Sequence, residues 1–118
     1  MTLFRGSDTV FYQVCNMDQS IAFYEGVLGL TLARREGNDW AEFQIGDLTL
    51  SLSGELATRP HSGGATVVLT AADITAVDSR LGENDVQRGP VEEMGGALML
   101  QFFDPDGNEL VAMQPPSA

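Results

Sequence analysis

Hydrophobic and polar positions alternate with two periods along this chain, and the period changes at turn-forming residues. Thr9–Cys15 is rich in β-branched and aromatic residues and predicts a strand. Asn16-Met17-Asp18 breaks it, with Asp18 expected to cap a helix starting at Gln19. Within Ser20–Leu28, Ile21, Tyr24 and Leu28 fall on one helical stripe, which Phe23 and Val27 widen. Gly29 is placed to end the helix. Three strands are expected next, at Leu30–Glu36, Trp40–Ile45 and Leu48–Ser53, with turns at Gly37-Asn38-Asp39 and Gly46-Asp47. In the third of these, Leu48, Leu50 and Leu52 share one face, and Thr49, Ser51 and Ser53 share the other.

After the Pro- and Gly-containing stretch Gly54–Gly64 the pattern restarts. Ala65–Thr70 predicts a strand, and Asp73 caps a helix whose stripe is Ile74, Val77 and Leu81. Val86–Val91 is expected as a broken strand containing Pro90. Gly95-Gly96 turns into the strand Ala97–Phe103, and Asp104-Pro105-Asp106-Gly107 turns into the strand Asn108–Met113. The element order βαβββ thus repeats after about 57 residues, which places Thr9 and Thr66 at equivalent positions. The expected fold class is α+β, two βαβββ modules forming a concave, partly closed mixed sheet. One domain would span residues 1–118, with units at 9–53 and 65–114 joined by a linker at 54–64.

Charge narrows the function classes. The chain has 17 acidic and 6 basic residues, a net charge of −11, and all its basic residues are arginine. Without lysine there is no Schiff-base chemistry. Without a basic stripe, nucleic acid is not an expected partner. No apolar run approaches a membrane span, and no secretory pattern opens the chain, so a cytoplasmic protein with no membrane partner is expected. The acidity serves solubility, or attraction of a cationic ligand. Cys15 is the single cysteine, expected at a buried strand end, and no internal disulfide can form.

Two motifs carry a resemblance to a known family. Met17–Leu30 looks like the first helix and following turn of the vicinal oxygen chelate superfamily, the group of glyoxalases, bleomycin resistance proteins and extradiol dioxygenases. Phe103-Asp104-Pro105-Asp106-Gly107-Asn108-Glu109-Leu110 looks like that group's last hairpin. The similarity runs from about Thr9 to Gln114 and bears on fold more than on function, because such folds host many activities. Both segments also serve plain structural needs, as helix core and turn.

In metal-using members of that group, four His, Gln or Glu side chains from the first and last strands of each unit meet on the concave face. Carried over by position, they correspond to Thr9, Ser51, Thr66 and Val111 here. Hydroxyls are weak donors to such metals and valine donates nothing, so neither a metal nor any other cofactor is expected. The sole histidine, His61, stands in the linker.

Strand alternation then gives the residues of that face. The candidate ligand-binding set is Phe11, Trp40, Glu42, Ser51, Thr66, Val68, Met99, Gln101, Phe103 and Val111. It has the apolar walls and sparse polar anchors of a small-molecule pocket, and it fits equally the ordinary core between two sheets. Trp40 can stack on a planar ligand or hold a cation. Glu42 can pair with a cation, or act as a base if burial raises its pKa. Glu109 shares a face with Val111 but is expected to be exposed at a strand start.

The first reading is a metal-free binder of a small aromatic or cationic molecule in an apolar cavity, the role the resemblance to bleomycin resistance proteins implies. The second is a lyase, isomerase or dioxygenase-type enzyme with a displaced metal site or Glu42 as base. The third is a non-catalytic accessory dimer. The resemblance also implies a homodimer.

Overall fold

The computed structural model describes Leu3, residues 10–54 and residues 66–116. The chain divides into two compact units, Met1–Pro60 and His61–Ala118. Each is a four-stranded mixed sheet with helical structure between its first two strands.

In the first unit the strands are β1 (Val10–Gln13), β2 (Thr31–Glu36), β3 (Trp40–Ile45) and β4 (Leu48–Ser53), ordered β1-β4-β3-β2. β1 runs parallel to β4, and the other pairs are antiparallel. Between β1 and β2 lies α1 (Met17–Ile21), which continues as a π-helical segment over Ala22–Val27. The helix starts earlier than the sequence pattern indicates. Asn16, not Asp18, caps it, its side-chain oxygen accepting from Gln19 N at 3.0 Å. Asp18 instead lies on the first turn and receives Arg35 Nη2 at 2.6 Å.

The wider turn shows in the bond from Leu28 N to Phe23 O, which spans five residues. Gly29 then takes φ +73, a left-handed conformation natural to glycine, and Leu30 N reaches Tyr24 O. Phe23 and Tyr24 are both buried, with ring centroids 5.2 Å apart, and Tyr24 meets Phe43 of β3 at 5.6 Å. Leu50 and Leu52 complete this core, and Val27 and Leu28 of the expected stripe are only half-buried.

Gly54 belongs to this unit more than to a linker. Its N–H bonds Asp39 O, and a side chain there would begin 2.1 Å from the backbone oxygen of Asn38. Gly54→Ala must therefore displace the β2–β3 turn, at an expected cost of about 1–3 kcal/mol in urea unfolding. An unchanged midpoint would show that the turn yields freely. The rest of the expected linker, 55–64, lies outside the described residues, as do Thr9 and Ala65.

The second unit repeats the plan with β5 (Val67–Thr70), β6 (Glu92–Met94), β7 (Ala97–Phe103) and β8 (Glu109–Gln114), ordered β5-β8-β7-β6. Its helix, α2 (Ile74–Glu83), is capped by Asp73 as the sequence indicates, through bonds from Thr75 N and Ala76 N. Ile74, Leu81, Leu100, Phe102 and Leu110 are buried. The strand expected at Val86–Val91 is not regular. It touches β7 through one bridge, Arg88 opposite Phe102, and the ladder begins at Glu92. Pro90 has no N–H to give a ladder, so pairing lapses there.

The Asp104–Gly107 turn is held by side chains as well as backbone. Asp104 is buried and accepts from Asp106 N at 2.9 Å, Asn108 N at 2.8 Å and Asn108 Nδ2 at 2.9 Å. Asp104→Ala orphans these donors and is expected to cost about 2–3 kcal/mol in urea unfolding. A loss under about 1 kcal/mol would mean that the Gly107 N to Asp104 O bond suffices to hold the turn.

Candidate functional site

The first unit brings its four candidate residues together. Across the sheet, Phe11 of β1 stands opposite Ser51 of β4, and Ser51 opposite Glu42 of β3. Trp40 lies two residues before Glu42, on the same face by strand alternation. Its indole meets the Phe11 ring at a centroid distance of 5.8 Å and a tilt of 52°. Its Nε1 donates to Glu42 Oε2 at 2.7 Å. Arg34 Nη2 donates to the same oxygen at 3.0 Å and reaches Glu36 through Nη1 at 3.3 Å. Ser51 is fully buried, whereas Phe11 is 43% exposed. Phe11 and Trp40 thus form an accessible aromatic pair with a carboxylate fixed at its edge.

The bond from Trp40 holds the Glu42 carboxyl below its ordinary pKa, desolvation opposes this, and the bond and charge of Arg34 add to the lowering. The raised pKa that base catalysis by Glu42 requires is not found. Burial does not dominate, because the side chain is 27% exposed and doubly hydrogen-bonded. Glu42 stays ionised at neutral pH. At the far end of the same strands, Thr49 and Gln44 bond each other, and Gln44 bonds Gly46 O.

The second unit arranges its candidates differently. Val68, Val111 and Gln101 stand in one row across β5, β8 and β7. Thr66 Oγ1 and Gln101 Nε2 both donate to the Glu109 carboxylate, one to each oxygen. The Thr66 bond and then the Gln101 bond hold Glu109 below its ordinary pKa. Glu109 is intermediate in exposure and engaged by two donors, where the sequence pattern suggests an exposed strand start. Its signal was the alternation it shares with Val111, together with the parallel pairing of β5 and β8. Phe103 stands opposite Glu109.

Met99, Gln101 and Val111 line a pocket of about 260 Å³ with Gly89, Pro90, Glu92 and Met94. Pattern reading missed those last four. Gly95-Gly96 supplies a signal for two of them, because a hairpin turn pairs the residues just before it with those just after. Cys15 is exposed, contrary to the expectation of a buried thiol. It lies two residues past Gln13, the last residue of β1, and just before the helix cap Asn16.

The family model for the Glyoxalase/Bleomycin resistance protein/Dioxygenase superfamily matches residues 6–112. The chain belongs to this superfamily. Solved structures agree on the fold. A lactoylglutathione lyase from Agrobacterium tumefaciens superposes with TM-score 0.78 at 16% identity, with 96% of each chain covered. TnmS3, an antibiotic binding protein from Streptomyces sp. CB03234, gives TM-score 0.79 at 24% identity, covering 98% of this chain and 99% of that one. A glyoxalase/dioxygenase from Nostoc punctiforme gives TM-score 0.79 at 18% identity, covering 96% and 92%.

By the resemblance, the metal-holding positions of metal-using relatives correspond to Ser51, Thr66 and Val111 here, with the fourth, Thr9, and His61 outside the described residues. Two hydroxyls and an alkyl group are a poor donor set for a divalent transition metal, which is held by imidazole nitrogen, thiolate, carboxylate or amide oxygen donors. Among the described residues, no group of three or more His, Cys, Asp or Glu side chains is placed to hold a metal ion. No helix among them is long and apolar enough to cross a membrane.

Proposed function

We propose that this superfamily member binds a small aromatic or cationic molecule without a metal. The observation that carries this reading is the accessible Phe11–Trp40 pair with ionised Glu42 bonded at the indole edge. Aromatic faces stack on planar ligands and attract cations, and a fixed carboxylate adds charge complementarity. The net charge of −11 favours approach of a cation over an anion. Structural likeness to an antibiotic binding protein is compatible with such a role.

Catalysis with Glu42 as base fits less well. A general base works best with a pKa near the operating pH, and the indole and guanidinium hold this carboxyl below its ordinary value. Calorimetric titration with Zn²⁺ or Mn²⁺ separates the readings. No stoichiometric heat is expected below millimolar metal. Tight one-to-one binding would favour an enzyme with a displaced metal site.

A further inference from the structure

The pocket of the second unit has a hydrogen-bond polarity that a glutamine alone would not have. A glutamine amide offers donors on one side and an acceptor on the other, and ordinarily either can face a ligand. Here an ionised carboxylate removes the choice, because it accepts only. Glu109 therefore takes the Nε2 side of Gln101, and Thr66 occupies its other oxygen. Gln101 Oε1 is left facing Gly89, 3.9 Å from the point where a side chain on that glycine would begin. Gly89 and Gln101 both line the pocket, so this distance places the acceptor beside the Gly89 part of its lining.

The remaining lining sets the ligand's other features. Among the described lining residues Glu92 is the one ionisable side chain, and Pro90, Met94, Met99 and Val111 are apolar. At about 260 Å³ the space is below the roughly 300–1,000 Å³ of sites for drug-sized ligands. We infer that this pocket selects small organic ammonium ions bearing N–H donors. The N–H groups bond Gln101 Oε1, the charge lies near Glu92, and the apolar body rests on the methionines. Glu109 and Thr66 are positioning residues that set the direction of the Gln101 amide. This goes beyond the aromatic-pair reading above, naming a ligand class for a second place of contact that stands on the second unit's own geometry.

Benzylammonium, benzyltrimethylammonium and benzoate test it on the intact chain, read through ¹³C-methyl signals of Met94 and Met99. Benzylammonium is expected to shift both signals saturably. Benzyltrimethylammonium keeps the charge but lacks N–H donors, and is expected to bind about three- to tenfold more weakly, the value of one hydrogen bond. Benzoate is expected to leave both signals in place. Glu109→Gln lets the amide turn and should bring the ratio of the two cations toward one. Gly89→Ala, whose methyl meets only ordinary contacts at 3.9 and 4.0 Å, should weaken benzylammonium while the fold persists. Equal binding of the two cations by the unaltered protein, tighter binding of benzoate, absence of saturable methyl shifts, or a cation ratio unmoved in Glu109→Gln would each overturn the proposal. Because the methyl signals report the second unit alone, a silent Trp40 with shifting methionines would remove the aromatic-pair reading and leave this one standing.

Discussion

Phe43→Ala is expected to destabilise the protein by about 4 kcal/mol, more than truncation at the exposed face of the first unit. Phe43 is fully buried on β3, between Leu50 of β4 and Leu32 of β2, and its ring meets Tyr24 at 5.6 Å. Tyr24 in turn meets Phe23 edge-on, so one aromatic chain ties the helical segment to the sheet. Removing the Phe43 ring loses transfer free energy and leaves a cavity lined by side chains that cannot all close in. Urea unfolding followed by circular dichroism measures the loss. A value below about 2 kcal/mol would mean that the neighbouring leucines fill the space, and that the aromatic chain is less central than its burial indicates.

Trp40→Ala is expected to act on the other side of β3, and on affinity more than on stability. Trp40 is partly exposed, and its polar bond is to a carboxylate that Arg34 also holds. Folding should lose little, about 1 kcal/mol, consistent with one ring contact to Phe11. Affinity for a planar cation should fall about tenfold or more, because stacking and cation attraction go together and Glu42 loses the indole that fixes it. Thermal denaturation and ligand titration on the same variant compare the two losses. A stability loss matching that of Phe43→Ala would mark Trp40 as a packing residue.

Much of the fold was legible because its patterns are local. β3 and β4 follow from alternation and the Gly46 turn, which takes φ +58, and their bounds match those expected. α2 follows from Asp73 and its stripe. The cap of α1 was misplaced because Asn16 and Asp18 are both competent caps two residues apart, and only geometry chooses between them. β6 was misplaced because Val86–Val91 looks more strand-like than Glu92–Met94, although Pro90 cannot join a ladder.

The candidate site was legible as a set of faces but not as chemistry. Alternation grouped Phe11, Trp40, Glu42 and Ser51 correctly. It could not show that Trp40 donates to Glu42, or that this bond lowers the carboxyl's pKa. In the second unit it found Thr66 and Gln101 but not that both converge on Glu109, since those bonds join residues 43 and 8 positions apart. Bond partners depend on register and rotamer, and a one-dimensional period carries neither.

Because Trp40 is the sole tryptophan, its fluorescence reports this face alone. Titration with proflavine, a planar aromatic cation, should quench it saturably, with the same midpoint in EDTA and in added Zn²⁺. Quenching that appears only when a divalent metal is supplied, or no saturable quenching in either condition, would contradict metal-independent binding at the Phe11–Trp40–Glu42 face.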